Sequence, residues 1–157
     1  MRRRPCVIAV IENGEIRCGL TNAYTGLGGI PYRILKGTNT AEGEQPKPLF
    51  ESMKCHTEVS PEKYQNYLDH PESADDFSAM IEIDLDQNII RVDEDMGEER
   101  EYHEFPVDVL LEQAKQLRSS FTKPGSNMIP QKIIYKAMKG FEAKPPEQDM
   151  TGGMSFG

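Results

Sequence analysis

The chain of 157 residues has no apolar run long enough to cross a membrane. A transmembrane helix needs about 20 consecutive apolar residues, whereas the first apolar run, at positions 6–11, ends in Glu12-Asn13-Gly14. The arginines before this run are not followed by a small-residue cleavage site, so the pattern does not predict a secretory signal. We therefore expect a cytoplasmic protein that does not interact with membranes.

Cysteine is also scarce, with three residues at Cys6, Cys18 and Cys55. An odd number at irregular spacing, without a C-x-x-C pair, indicates neither a disulfide framework nor a zinc site. His70 and His103 could form a metal site only together with Asp75, Asp76 and Glu104, and no pair within this set has the helical i, i+4 ligand spacing. The sequence thus predicts reduced thiols, no metal and no cofactor.

Positive charge is scarce in the middle of the chain, although the formal net charge of the whole is only −8. Between Asp69 and Glu104 there are 14 acidic and two basic residues. Such a segment repels the phosphates of nucleic acid and attracts basic surfaces. Direct nucleic-acid binding is therefore disfavoured, and the expected partners are a basic protein surface or further copies of the chain.

A first hairpin is predicted over residues 6–20. Its strands flank Asn13-Gly14, a pair that favours a two-residue type I′ turn. This turn sets Glu12 opposite Glu15 and places Cys6 and Cys18 on opposite faces of the hairpin. The wholly apolar face is the expected core face; its residues are Val7, Ala9, Ile11, Ile16, Cys18 and Leu20.

A second hairpin with a third strand is predicted over residues 79–105, because apolar and acidic residues alternate there. The expected register sets Leu85 opposite Ile90 and Asp84 opposite Arg91. Between the hairpins, the sequence predicts a short strand at residues 30–35 and a helix that begins after Ser60.

Two C-terminal helices are predicted at about residues 106–121 and 130–141, from apolar residues at helical spacing. The second exposes a stripe of lysines at Lys132, Lys136 and Lys139. The expected fold is α+β, with an antiparallel sheet built from the two hairpins and packed by the two helices. Residues 1–141 form a single domain in this interpretation, and residues 142–157 form a C-terminal tail.

The acidic second hairpin and the tail predict a non-enzymatic protein-interaction module. Carboxylates collect on one face of the hairpin, and the tail holds methionine and phenylalanine in a glycine-rich setting that suits docking into a groove. The module would act as an assembly component or as an occluding inhibitor or regulator; in one version, the lysine stripe meets the acidic face of another copy. The predicted partner-binding residues are Glu82, Asp84, Asp86, Asp93, Asp95, Met154 and Phe156.

Two alternative functions stay open on the sequence. The turn-rich loop after the first hairpin offers hydroxyls, an amide and flexible backbone for a small, nucleotide-like ligand. Its predicted ligand-binding residues are Asn22, Tyr24, Thr25 and Arg33. The other alternative is a hydrolase with Cys6 or Cys55 as nucleophile, although no set of catalytic residue types has a meaningful spacing, and we assign no catalytic residue.

Overall fold

The structure is a computed structural model that describes residues 4–22, 26–38, 42–120 and 128–143, with the backbone alone at 118–120. The strands are β1 (Cys6–Glu12), β2 (Glu15–Thr21), β3 (Thr57–Val59), β4 (Ala79–Asp84), β5 (Ile89–Asp95) and β6 (Arg100–Pro106). The helices are α1 (Ile30–Thr38), α2 (Pro61–Asp69), α3 (Val107–Ser120) and α4 (Gln131–Met138). Short 3-10 helices lie at Leu27–Gly29, Leu49–Met53 and Pro71–Asp76. No helix in the described ranges is long and apolar enough to cross a membrane.

The strands form one six-stranded sheet in the order β3-β2-β1-β4-β5-β6. The antiparallel hairpin β1–β2 and the antiparallel meander β4–β5–β6 confirm the predicted α+β fold. Their junction was not predicted: β1 pairs with β4 in parallel, and Cys6 lies opposite Ala79. Because a parallel pair needs a long crossover, the chain between β2 and β4 supplies it, with α1, β3 and α2 on the way.

The predicted register of the first hairpin is confirmed. Glu12 lies opposite Glu15, and the turn residues Asn13 and Gly14 have φ of 56° and 79°, as a type I′ turn requires. The prediction that only one face is core was wrong. Both faces are covered, and Cys6, Ile8 and Val10 from the other face of the hairpin belong to the larger core.

The sheet separates two apolar cores. The larger one packs α1, α3 and α4 on one face through residues such as Ile34, Leu110 and Ile134, so both C-terminal helices lie where their apolar stripes predict. The smaller one packs α2 and the turn at Pro71–Asp76 on the other face, with Tyr64 buried there. As predicted, Ser60 caps α2, and its hydroxyl accepts the Lys63 N–H.

Two local predictions were wrong. The predicted strand at residues 30–35 is part of α1, because the buried side chains are Ile30 and Ile34, which are spaced one helical turn apart.

The register of the second hairpin is shifted by two residues from the predicted one, so that Glu82 lies opposite Arg91. A four-residue turn ending at Asn88, with φ of 59°, produces this shift. An even shift leaves every side chain on its predicted face.

Candidate functional site

One face of the sheet is covered only in part. Helix α2 and the turn at Pro71–Asp76 cover β1, β2 and the start of β4, where Val7 and Met80 lie in the smaller core. Further along β4 and across β5 and β6, the side chains on this face are polar or charged. We call this part the open face; its residues are Glu82, Asp84, Arg91, Asp93, Asp95, Arg100, Tyr102 and Glu104.

Arg91 holds the middle of the open face together. Its Nη1 lies 2.6 Å from Glu82 Oε2 and 3.4 Å from Asp84 Oδ2, and its Nε lies 3.9 Å from Glu104 Oε2. The hydroxyl of Tyr64 donates to Glu82 Oε1 at 2.8 Å, and burial together with this carboxylate raises the pKa of Tyr64. Glu82 and Asp84 are therefore already engaged inside the chain, and Asp84 is only 4% exposed.

The outer carboxylates of the open face are also paired but remain accessible. Arg100 Nε lies 2.9 Å from Asp93 Oδ1, and Arg4 pairs with Asp95. The side chains of Asp93 and Asp95 are 33% and 29% exposed. The Arg4 guanidinium and the Gly97 N–H hold the pKa of Asp95 below its ordinary value. Asp95 thus stays ionised, and both carboxylates keep lone pairs that face solvent.

Asp86, the remaining acidic residue predicted for partner binding, lies at the end of the second hairpin. Its two carboxylate oxygens accept the N–H groups of Asn13 and Gly14, each at 2.8 Å. Asp86 therefore joins the turns of the two hairpins, and it remains exposed.

Tyr102 lies opposite Asp93 on the open face and is the residue that sequence reasoning missed. It is 57% exposed, the highest value among the large hydrophobic side chains of the described residues. Its hydroxyl donates to Glu104 Oε2 at 2.7 Å; burial of the hydroxyl and the carboxylate raise its pKa, so the phenol stays protonated. The alternation of β6 was the available signal, since it sets Tyr102 and Glu104 on the acidic face.

The lysine stripe lies on the other side of the sheet. Helix α4 packs into the larger core through Ile134 and Met138, while Lys132, Lys136 and Lys139 are exposed. Among the described residues, none of these lysines takes part in a salt bridge. The chain therefore presents an acidic surface and a basic one on opposite faces of one sheet.

Glu94 is a buried carboxylate near the loop of the ligand hypothesis, and it is only 2% exposed. Its oxygens accept hydrogen bonds from Leu27 N at 3.1 Å, Tyr135 Oη at 2.8 Å and Gln131 Nε2 at 2.7 Å. It also borders a cavity of about 340 Å³, lined by Gly28, Glu94, Met128, Ile129, Pro130 and Gln131. A carboxylate in the wall favours a cationic group over a phosphate in this cavity.

The structure describes two of the four residues of the ligand hypothesis, Asn22 and Arg33. Asn22 Nδ2 lies 3.3 Å from His56 Nε2, whereas Arg33 lies on α1 with its guanidinium 5.8 Å from the Tyr32 ring. Tyr24 and Thr25 lie outside the described residues, as do Met154 and Phe156 of the tail.

The cysteine thiols lie in surroundings that keep them protonated. Burial raises the pKa of Cys18 to about 11 and that of Cys55 to about 12, and it raises the pKa of the fully buried Cys6 as well. The imidazole next to Cys55 in sequence, that of His56, lies against Thr57 Oγ1 at 2.8 Å. This arrangement gives no support to a cysteine nucleophile, because the reactive form is the thiolate.

Metal-binding side chains do not gather in the described part of the chain, where no group of three or more His, Cys, Asp or Glu residues is placed to hold an ion. Comparison with known proteins adds no assignment: no family model, no curated protein and no solved structure matches this chain.

Proposed function

We propose that this protein is an interaction module that binds a basic protein surface with its open face. The observation that carries the proposal is the exposed ring of Tyr102 among carboxylates, on a part of the sheet that no described element covers. Helix α2 covers the adjoining part of the same side of the sheet, so only the open face is left uncovered there by the described elements.

The chemistry of the open face suits lysine or arginine side chains. An alkyl stem can lie on the Tyr102 ring, where the cation also gains a cation–π contact, while the charged head reaches Asp93 or Asp95. Exposed aromatic side chains are frequent energetic centres of interfaces. Because the carboxylates outnumber the guanidiniums Arg4, Arg91 and Arg100 on this face, association should be steered by charge and weakened by salt.

The C-terminal tail starts beside the open face. Ala143 N donates to the carbonyl oxygen of Glu104 at 2.7 Å, so the last described residues run along the free edge of β6. We propose that Met154 and Phe156 add apolar contacts to the same partner. A partner held by both the face and the tail is consistent with an assembly component or with an inhibitor that acts by occlusion.

We propose that the module acts without catalysis and without a cofactor; the raised pKa values of Cys6 and Cys55 support this, because a protonated thiol is a poor nucleophile. All three cysteines are free, which fits a reducing compartment, and we propose the cytoplasm. The acidic face disfavours direct contact with nucleic acid.

The test is binding of a lysine- and arginine-rich peptide, measured by isothermal titration calorimetry at low salt. Tyr102→Ala combined with Asp93→Asn should weaken binding at least ~10-fold, because an anchor and an ion pair are lost together. The matched control is Glu42→Gln combined with Glu112→Gln, which neutralises exposed carboxylates away from the open face. Equal affinity in both variants, with unchanged melting temperatures, would overturn the proposal.

As a second candidate function, we propose a small-ligand site at the cavity beside Gly28. The observation that favours it is the cavity itself. A thermal-shift series checks it, because a ligand that binds the native state raises its apparent stability. A rise with nucleotides would support the nucleotide-like ligand of the loop, whereas a rise with polyamines alone would fit the Glu94 carboxylate. No rise with either would remove this candidate.

A further inference from the structure

The open face and the lysine stripe cannot meet within one chain. Helix α4 is fixed on one side of the sheet by Ile134 and Met138, and the open face looks to the other side. The two surfaces carry complementary charge but lie on opposite sides of the sheet, so they can form a contact only between separate copies.

The two surfaces also agree in size. Helix α4 carries Lys132 and Lys136 and is about 12 Å long, at the helical rise of ~1.5 Å per residue, and Lys139 follows directly after its last residue. Arg91 and Asp95 are about 13 Å apart along β5, at ~3.3 Å per residue in a strand. A helix about 10 Å wide covers roughly the span from β4 to β6. Helix α4 of a second copy therefore fits over the open face.

We propose that the partner of the open face is a second copy of this chain, which docks the lysine stripe of its α4 there. The inference rests on the proposed function and names its partner. The lysines pair with the exposed oxygens of Asp93, Asp95 and Glu104, and one lysine stem lies across the Tyr102 ring. No rearrangement of the Arg91 cluster is needed, since Glu82 and Asp84 remain with Arg91.

Such a contact is head-to-tail, because different surfaces of the two copies meet. Each copy in a pair still has one free open face or one free lysine stripe, so the contact repeats and gives an open chain or a closed ring. Assembly should grow with protein concentration and decline with salt, since the contact is made of exposed charges.

The test is the size of the full-length protein by sedimentation velocity, at low and at high salt. The stripe variant is Lys132→Glu/Lys136→Glu/Lys139→Glu, and the face variant is Asp93→Asn/Tyr102→Ala. We expect the wild type to form oligomers at low salt that dissociate at high salt, and each variant alone to be monomeric. An equimolar mixture of the two variants should give dimers and nothing larger, because it contains one intact face and one intact stripe per pair.

The matched control for the stripe is Lys36→Glu/Lys47→Glu/Lys63→Glu, which makes the same charge change at lysines outside the stripe. This control variant should assemble like the wild type. Oligomers that persist in either variant alone, or a mixture that stays monomeric, would overturn the inference. A wild type that is monomeric at every salt concentration but binds the basic peptide through its open face would overturn it and leave the proposed function standing. Failure of both assembly and peptide binding would overturn both.

Discussion

The hydroxyl of Tyr135 on α4 donates to Oε1 of Glu94 on β5 at 2.8 Å, and this contact joins the last described helix to the sheet. Leu27 N and Gln131 Nε2 donate to the same carboxylate. Glu94 thus accepts hydrogen bonds from the first residue of the 3-10 helix Leu27–Gly29 and from the first residue of α4. Glu94 has no salt bridge with any residue that the structure describes, and these donors stabilise it instead.

Replacing Glu94 by Ala should therefore lower the free energy of unfolding by about 3 kcal/mol, since one buried and two partly buried donors lose their acceptor. Tyr135→Phe removes one hydrogen bond and should cost about 1 kcal/mol. Urea denaturation measures both. The exposed Glu98→Ala is the control and should stay within about 0.5 kcal/mol of the wild type. A Glu94→Ala protein as stable as this control would contradict the role of Glu94.

Gly28 has no room for a side chain, because an added Cβ would collide with the backbone carbonyl of Ile129. Backbone cannot move aside as a flexible side chain can, so Gly28→Ala should lower the free energy of unfolding by more than ~2 kcal/mol. Gly43→Ala is the comparison: its φ of +87° strains an alanine by about 1 kcal/mol, but nothing lies within 4 Å of the new methyl group. Equal melting temperatures of the two variants would show that the backbone at Gly28 can move away from the Ile129 carbonyl.

Arg91→Leu should destabilise the protein by about 3 kcal/mol, because the partly buried Glu82 and Asp84 lose their shared counter-charge. Combining it with Glu82→Gln should recover part of this loss, since one uncompensated charge disappears. A double-mutant cycle by chemical denaturation measures the coupling. Strictly additive effects would mean that the 2.6 Å contact between Arg91 and Glu82 contributes nothing.

His103 should make stability depend on pH. Burial lowers the pKa of His103, but its hydrogen bonds with Glu101 and Glu142 outweigh burial and raise the pKa above the ordinary value. The stabilisation by the charged imidazole is thus complete below about pH 6.5, the ordinary value, and is lost as the pH rises through the folded-state pKa.

The measurement is the difference in unfolding free energy between wild type and His103→Gln, which should be larger at pH 5.5 than at pH 8.5. Glu142→Gln removes one of the two carboxylates and should make this difference smaller at pH 5.5. A difference that is independent of pH would contradict the assignment of a charged imidazole.

The thiols of the native protein should react slowly with alkylating reagents. With the pKa of Cys55 raised to about 12 by burial, the thiolate fraction near pH 8 falls at least ~100-fold below that of an ordinary cysteine. Intact-mass measurement during iodoacetamide treatment should show little labelling in buffer and three labels in urea. Rapid labelling of one native thiol would revive the hydrolase alternative.

Local sequence signals predicted the parts of the fold that depend on neighbouring residues. The Asn13-Gly14 turn sets the first hairpin by itself, and the confirmed register follows from it. The parallel pairing of β1 with β4 has no such signal, because it depends on a crossover whose path is decided by burial. The same crossover covers both faces of β1, which explains why the prediction of a single core face was wrong.

For the candidate site, strand alternation predicted which carboxylates share a face but not how they are neutralised. The pairing of Arg4 with Asp95 joins the N-terminal segment to β5 and cannot be inferred from spacing. Tyr102 was predicted to lie in a strand, yet its exposure depends on how far α2 extends over the sheet. Long-range packing, and not residue type, decides which part of the face stays open.

The parallel junction of β1 with β4 has a consequence for the order of folding. Cys6 and Ala79 are partners in space but far apart in the chain, whereas each hairpin closes between near neighbours. At a synthesis rate of ~5–20 residues per second, the first hairpin leaves the ribosome several seconds before β4 exists. During that interval the β1 edge, rich in valine and isoleucine, has no partner strand, so the nascent chain is most prone to aggregation before its second half has been made.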